Sequence, residues 1–172
     1  METRLVSSNS KTILVLGVGN LLMGDDGVGI HVVRELEGMK WPPNVRIEDG
    51  GMGGVTLISL WEDADYVILI DAADMRKPAG ACVVFSPEDV RSVKKDDRFS
   101  LHHTDLLGLL DLMRTVSLKT PLVRVIGVQP QEIEWRDQLS ETVRCKIPAI
   151  ISLVQEEIAK IGQGGGLGKC TK

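Results

Sequence analysis

Four residues carry the chemistry this chain can do. Asp25 and Asp26 stand side by side in a loop, Asp71 closes the apolar run DYVILID, and His102 lies in SLHHTDLLGLL. Carboxylate oxygens with an imidazole nitrogen, and no thiolate, form a donor set for a divalent ion. That set suits zinc, nickel, manganese or iron and does not choose among them. A ligating imidazole must be neutral, and the positive end of a helix N-capped by Ser100 would keep His102 so. His103 is adjacent and competes for the same role. Each residue also has a plainer role. An acid at a helix start compensates the dipole, an aspartate after a strand forms a turn, and a first-turn histidine faces water. On composition and spacing alone the plainer roles carry slightly more weight.

The elements that must position these residues begin with Thr12–Glu37 (TILVLGVGNLLMGDDGVGIHVVRELE). Its unbroken apolar start reads as a strand buried on both faces, as in a parallel sheet. Gly17 and Gly19 let the backbone turn sharply, and the loop delivers Asp25 and Asp26 to a helix over about 26–37. Val28, Val32, Val33 and Leu36 form its buried stripe, His31 falls on its polar face, and Gly38 caps its end. Val45–Glu48 is a second strand, followed by DGGMGG, whose glycines imply close backbone approach to a ligand or a loop.

A short helix over 55–61 leads to a third buried strand, Asp65–Asp71, and Gly80–Ser86 makes a fourth at a sheet edge. Segment 87–99 is charged and reads as a surface excursion. Ser100 starts a helix carrying Leu106, Leu109, Leu110 and Met113 on one face. Pro121–Val128 is the last strand. From Ser140 the spacing of Val143, Ile147, Ile151, Val154, Ile158 and Ile161 predicts one long helix kinked at Pro148. The alternation implies an α/β three-layer sandwich: a mainly parallel, five-stranded twisted sheet with helices on both faces, the fourth strand antiparallel. Ligands of such sheets sit beyond the carboxyl ends of the strands, where Asp26 and Asp71 should meet.

The length of 172 residues suits one domain, its core over about 12–161 and flexible tails at 1–10 and 162–172. A formal charge of -4 argues against nucleic acid as a partner. No apolar stretch approaches the roughly 18 residues a membrane helix needs, and the start lacks a signal-peptide core. A soluble, cytoplasmic and monomeric protein is expected. Cys82, Cys145 and Cys170 are odd in number and lack CxxC spacing, which argues against a disulfide framework or zinc knuckle. Cys82 should be a buried thiol.

Gly17-x-Gly19 after a strand resembles half of a dinucleotide fingerprint. Leu22 stands where its third glycine would be, and the two acids would repel a pyrophosphate. GxSxG, HExxH and a Walker A lysine are all missing.

GVGNLLMGDDGVG closely resembles the opening signature of the nickel–iron hydrogenase maturation endopeptidases. DGGMGG, IDAAD, SLHHTDLLGLL and VIGVQP resemble that family's later motifs, in order, across residues 12–160. The resemblance implies one cut that removes a short carboxyl-terminal extension from the large-subunit precursor of a hydrogenase after nickel insertion. It implies further that Asp26, Asp71 and His102 are both the catalytic set and the ligands of a nickel ion brought by the precursor. The isolated enzyme would then hold little or no metal. Asp26 takes a position often held by glutamate. Asp49 matches the second motif, with a role in loop architecture, and Asp25 is a candidate general base. Two rivals remain: a non-catalytic chaperone that binds nickel and precursor, and a dinucleotide-binding oxidoreductase.

Overall fold

The computed structural model describes residues 10–89, 100–101, 106–116 and 118–163. Its sheet begins with β1 (Ile13–Gly17), whose every residue is buried, as its apolar run requires. β1 lies between β2 (Val45–Asp49) and β3 (Tyr66–Asp74), parallel to both. β3 pairs in parallel with β6 (Leu122–Val128), and β4 (Cys82–Phe85) closes that edge antiparallel to β6. The order β2-β1-β3-β6-β4 gives the five expected strands, with the antiparallel one at the edge. A sixth, β5 (Ser100–Leu101), pairs antiparallel with Ala73 and Asp74 at the end of β3.

Side chains alternate across this sheet and build two cores. Ile13, Val15, Ile68 and Ile70 pack under α1 (Val28–Glu37) and, further along, α5 (Ile147–Gly162). Leu14, Leu16, Val67 and Leu69 pack under α2 (Leu57–Trp61) and α3 (Leu106–Thr115). Aromatics are few, so branched aliphatics fill the interior, each worth about 1.5–3 kcal/mol when fully buried. Since α1 crosses to β2 on one face and α2 returns to β3 on the other, the order of the strands reverses between β1 and β3. A crevice therefore opens above their carboxyl ends.

That crevice depends on close backbone packing. A Cβ on Gly29 would come within 2.2 Å of the Ile70 carbonyl oxygen, so only glycine lets α1 rest on the strand ends. Gly19, at φ 142°, likewise would place a Cβ 1.9 Å from the Asp26 carbonyl oxygen. In DGGMGG the expected close approach holds for Gly50, which packs against Val18, Leu16 and Leu57, whereas Gly51 borders open space.

Several expectations are corrected. The acidic loop enters α1 through a 3-10 turn, Gly24–Gly27, and the α-helix starts only at Val28. Gly38 caps that helix as expected, but in the right-handed rather than the left-handed conformation (φ -74°). β3 does not stop at Asp71 but continues to Asp74. Ser100 is a strand residue, not an N-cap, because Ala73 and Asp74 offer it a ladder partner. The carboxyl-terminal helix is broken rather than kinked. Ser140 caps a short α4 (Glu141–Arg144), its Oγ accepting from the Val143 amide at 3.3 Å. α5 then starts afresh, with Pro148 in its first turn, where a missing N–H costs nothing.

Cys82 is half-buried, its thiol donating to the Gly80 carbonyl at 3.4 Å. No helix among the described residues is long and apolar enough to cross a membrane. Residues 90–99, the terminal segments 1–9 and 164–172, and Cys170 lie outside the described residues.

Candidate active site

Asp71 is the first residue of β3 with no neighbour on β1, because the β1 ladder ends at Gly17 opposite Ile70. The Val18 amide closes that ladder on the Ile70 carbonyl at 3.0 Å, and the chain then turns away. Alternation along β3 puts Asp71 on the face of Leu69 and Ala73, the face under α3. It is 1% exposed, and its Oδ2 has no hydrogen-bond partner among the described residues. Burial pushes its carboxyl well above the usual range, the Asp26 charge pushes it the same way, and the Ala72 amide offsets only part.

Asp26 reaches this point from the 3-10 turn. It is 3% exposed, and its Oδ2 accepts the Asn20 amide at 2.9 Å. Asn20 in turn folds its side chain onto the Leu22 amide, a local turn that fixes the loop. No lysine or arginine among the described residues forms an ion pair with Asp26 or Asp71. Two buried acids side by side without a cation are costly, and a proton or a divalent ion relieves that cost.

The structure thus brings together two of the three expected residues. His102, like His103, lies outside the described residues, and among those described no three of His, Cys, Asp and Glu gather as a metal site. The backbone on either side is described, however. Leu101 pairs with Ala73, two positions beyond Asp71, and Leu109 and Leu110 pack in the core layer that faces Asp71.

Asp25, the candidate base, has a different role. It is fully buried, and its Oδ2 accepts the Gln131 amide at 2.8 Å, the Glu132 amide at 3.2 Å and the Ser140 hydroxyl at 2.8 Å. Its Oδ1 accepts the Ser140 amide at 2.7 Å. The carboxylate is a latch that ties the 131–140 loop to the acidic turn. The Gly24 amide on the Arg136 carbonyl (2.8 Å) and the Arg136 amide on the Leu22 carbonyl (3.0 Å) reinforce it.

Gln129, just past the end of β6, carries no sequence signal of its own. It is buried, and its Oε1 accepts the Met75 and Lys77 amides at 2.7 and 3.2 Å, holding the exit of β3. Asp49 serves loop architecture, its Oδ1 accepting the Gly51 amide at 2.8 Å.

His31 is only partly solvated. Its Nε2 is buried without a hydrogen-bond partner among the described residues, and burial, then Arg34, lowers its pKa. It lines a cavity of about 640 Å³ with Glu35, Leu139 and Arg144, which neither Asp26 nor Asp71 enters.

A mainly parallel α/β sheet with a buried acid pair at its topological switch point defines the class of protein. The model of the hydrogenase maturation protease family HycI matches residues 30–157, and the chain belongs to that family. It is 32% identical over 159 residues to the hydrogenase expression/formation protein HupM of Azotobacter chroococcum mcd 1, covering 91% of this chain and 76% of that one. It is 30% identical over 152 residues to the hydrogenase 2 maturation protease of Escherichia coli (strain K12), with coverages of 87% and 92%.

The solved structure of the hydrogenase maturating endopeptidase HybD from E. coli is similar, with a TM-score of 0.74 at 29% identity, covering 88% of this chain and 94% of that one. A hydrogenase 2 maturation peptidase from the Thaumarchaeota archaeon SCGC_AB-539-E09 gives a TM-score of 0.67 at 33% identity, covering 87% and 99%. The protein is a hydrolase of the peptidase kind that works in hydrogenase maturation.

Proposed function

We propose that this protease removes a short carboxyl-terminal extension from the nickel-loaded large-subunit precursor of a nickel–iron hydrogenase. It acts as a cytoplasmic monomer, and the nickel arrives with the substrate. Asp26, Asp71 and His102 complete the coordination of that ion. The observation that carries this reading is the buried Oδ2 of Asp71, which has no hydrogen-bond partner among the described residues and feels the charge of Asp26. A carboxylate that has given up water and found no donor is poised for a cation.

The chemistry follows from this set. The docked ion draws electron density from the scissile carbonyl or acidifies a water beside it. Asp25 has both oxygens taken by four donors, so it cannot accept the water's proton. That base is assigned to Asp26, which abstracts the proton as the water attacks the carbonyl. Asp26 then gives that proton to the departing nitrogen as the C–N bond breaks, leaving the new carboxyl end on the mature subunit and the new amine on the released extension.

The test is incubation of the purified protein with nickel-loaded and nickel-free precursor, followed by mass measurement of the large subunit. Shortening is expected only with the loaded form. Stable binding without any cut would favour the chaperone reading instead. Equal cutting of both forms would remove nickel from the recognition step.

A further inference from the structure

Half of the large apolar side chains exposed among the described residues lie on three loops at one edge of the sheet. Leu22 is 54% exposed, Met52 61%, Val55 68% and Trp135 81%. Leu22 follows β1, Met52 and Val55 follow β2, and Trp135 lies on the loop that follows β6. These three strands run parallel in one sheet, so the loops leave its carboxyl edge, where Asp26 and Asp71 meet.

The loops are also bonded to one another. The Gly19 amide donates to the Gly51 carbonyl at 2.9 Å, and the Arg136 amide donates to Leu22 at 3.0 Å. The loop bearing Trp135 is fixed by the Asp25 latch and by Arg136, which pairs with Glu134 at 3.0 Å and also with Glu132.

An indole held out into water on a backbone pinned at both ends is unusual. Large apolar side chains normally turn inward, and a contiguous exposed group of them marks a docking surface. Pinning the loop in advance removes much of the ordering cost of binding, and tryptophan is among the side chains that anchor interfaces. Leu22 stands on the same loop as Asp26, which the Asn20 amide holds, so the rim's occupant is the molecule that reaches those acids.

We propose that Leu22, Met52, Val55 and Trp135 seat the precursor polypeptide flanking the scissile bond, with Trp135 as the anchor for an apolar side chain. This rests on the function proposed above. Its substrate chemistry is an extended segment with apolar side chains on either side of the cut, presented next to the ion.

The experiment is steady-state cleavage of nickel-loaded precursor by wild type, Trp135→Ala and Trp135→Phe, with KM and kcat read separately. Trp135 lies in water, so its loss leaves folding intact, which a thermal melt checks. Trp135→Ala is expected to raise KM about tenfold or more, in the range of an interface anchor. Its kcat should stay within about threefold, and Trp135→Phe should recover most of the KM. A wild type that cuts while Trp135→Ala keeps its KM would overturn the docking proposal and leave the proposed function standing. A fall in kcat at constant KM would overturn it as well. A wild-type dimer that Trp135→Ala dissolves, with KM unchanged, would assign the rim to a second copy. A wild type that fails to cut the loaded precursor would overturn the function, and this inference with it.

Discussion

Asp71→Asn should abolish processing and make the protein more stable at neutral pH. The expected loss is at least about 100-fold in cleavage of nickel-loaded precursor, the scale for removing one group that meets developing charge. The gain has a separate origin. Asp71 is buried, its Oδ2 has no partner among the described residues, and the Asp26 charge opposes its ionisation. An asparagine in its place carries no charge for the Asp26 carboxylate to oppose. The stabilisation should be about 1–3 kcal/mol, the cost of one unsatisfied buried polar group. For a chain of this size that corresponds to a rise in Tm of roughly 2–12 °C.

The pH dependence has a definite sign. Burial, then Asp26, raises the folded-state pKa of Asp71 above its value in the unfolded chain. Between those two values the folded protein keeps a proton that the unfolded chain has released. The resulting stability is complete below the unfolded value and is lost as pH rises through the folded one. Wild type should therefore lose stability relative to Asp71→Asn as pH rises through that window, and melts of the two at several pH values measure it. A variant with normal processing would remove Asp71 from the mechanism. A variant less stable than wild type at neutral pH would contradict the electrostatic account.

The second large effect concerns the latch at Asp25. Asp25→Ala removes the acceptor for the Gln131, Glu132 and Ser140 amides and for the Ser140 hydroxyl. These are charge-assisted bonds inside the protein, and their donors would be left without partners. The expected cost is about 3–5 kcal/mol. Tm should fall by roughly 6–20 °C, measured by calorimetry. Asp25→Asn keeps one acceptor oxygen and should lose less than half as much. Asp25→Ala melting within about 2 °C of wild type would refute the latch.

The sheet was legible because its strands announce themselves. Ile13–Gly17 and Tyr66–Ile70 are apolar runs that only a two-sided burial explains, and glycine ends the first where the helix must come close. Asp26 and Asp71 could be placed at one edge because parallel strands share their carboxyl ends. The errors lie where a distant partner decides. Ser100 reads as a cap until Ala73 and Asp74 offer a ladder, and Asp25 reads as a dipole acid or a base. Its partners stand 106 to 115 positions away, a separation no local pattern reveals. Pro148 allows either a kink or a fresh start, and the choice depends on how Lys146 and Ile147 turn. The exposure of Trp135 was also hidden, since a tryptophan in a polar stretch reads equally well as buried.

The most direct test of the central claim is nickel-edge X-ray absorption on loaded precursor with a blocked scissile bond, alone and mixed with wild type, His102→Ala or His103→Ala. Mixing with wild type should add oxygen and nitrogen scatterers at about 2.0–2.1 Å, including an imidazole signature. His103→Ala should keep that signature and His102→Ala should lose it. A nickel environment unchanged by the wild-type protein would contradict the account.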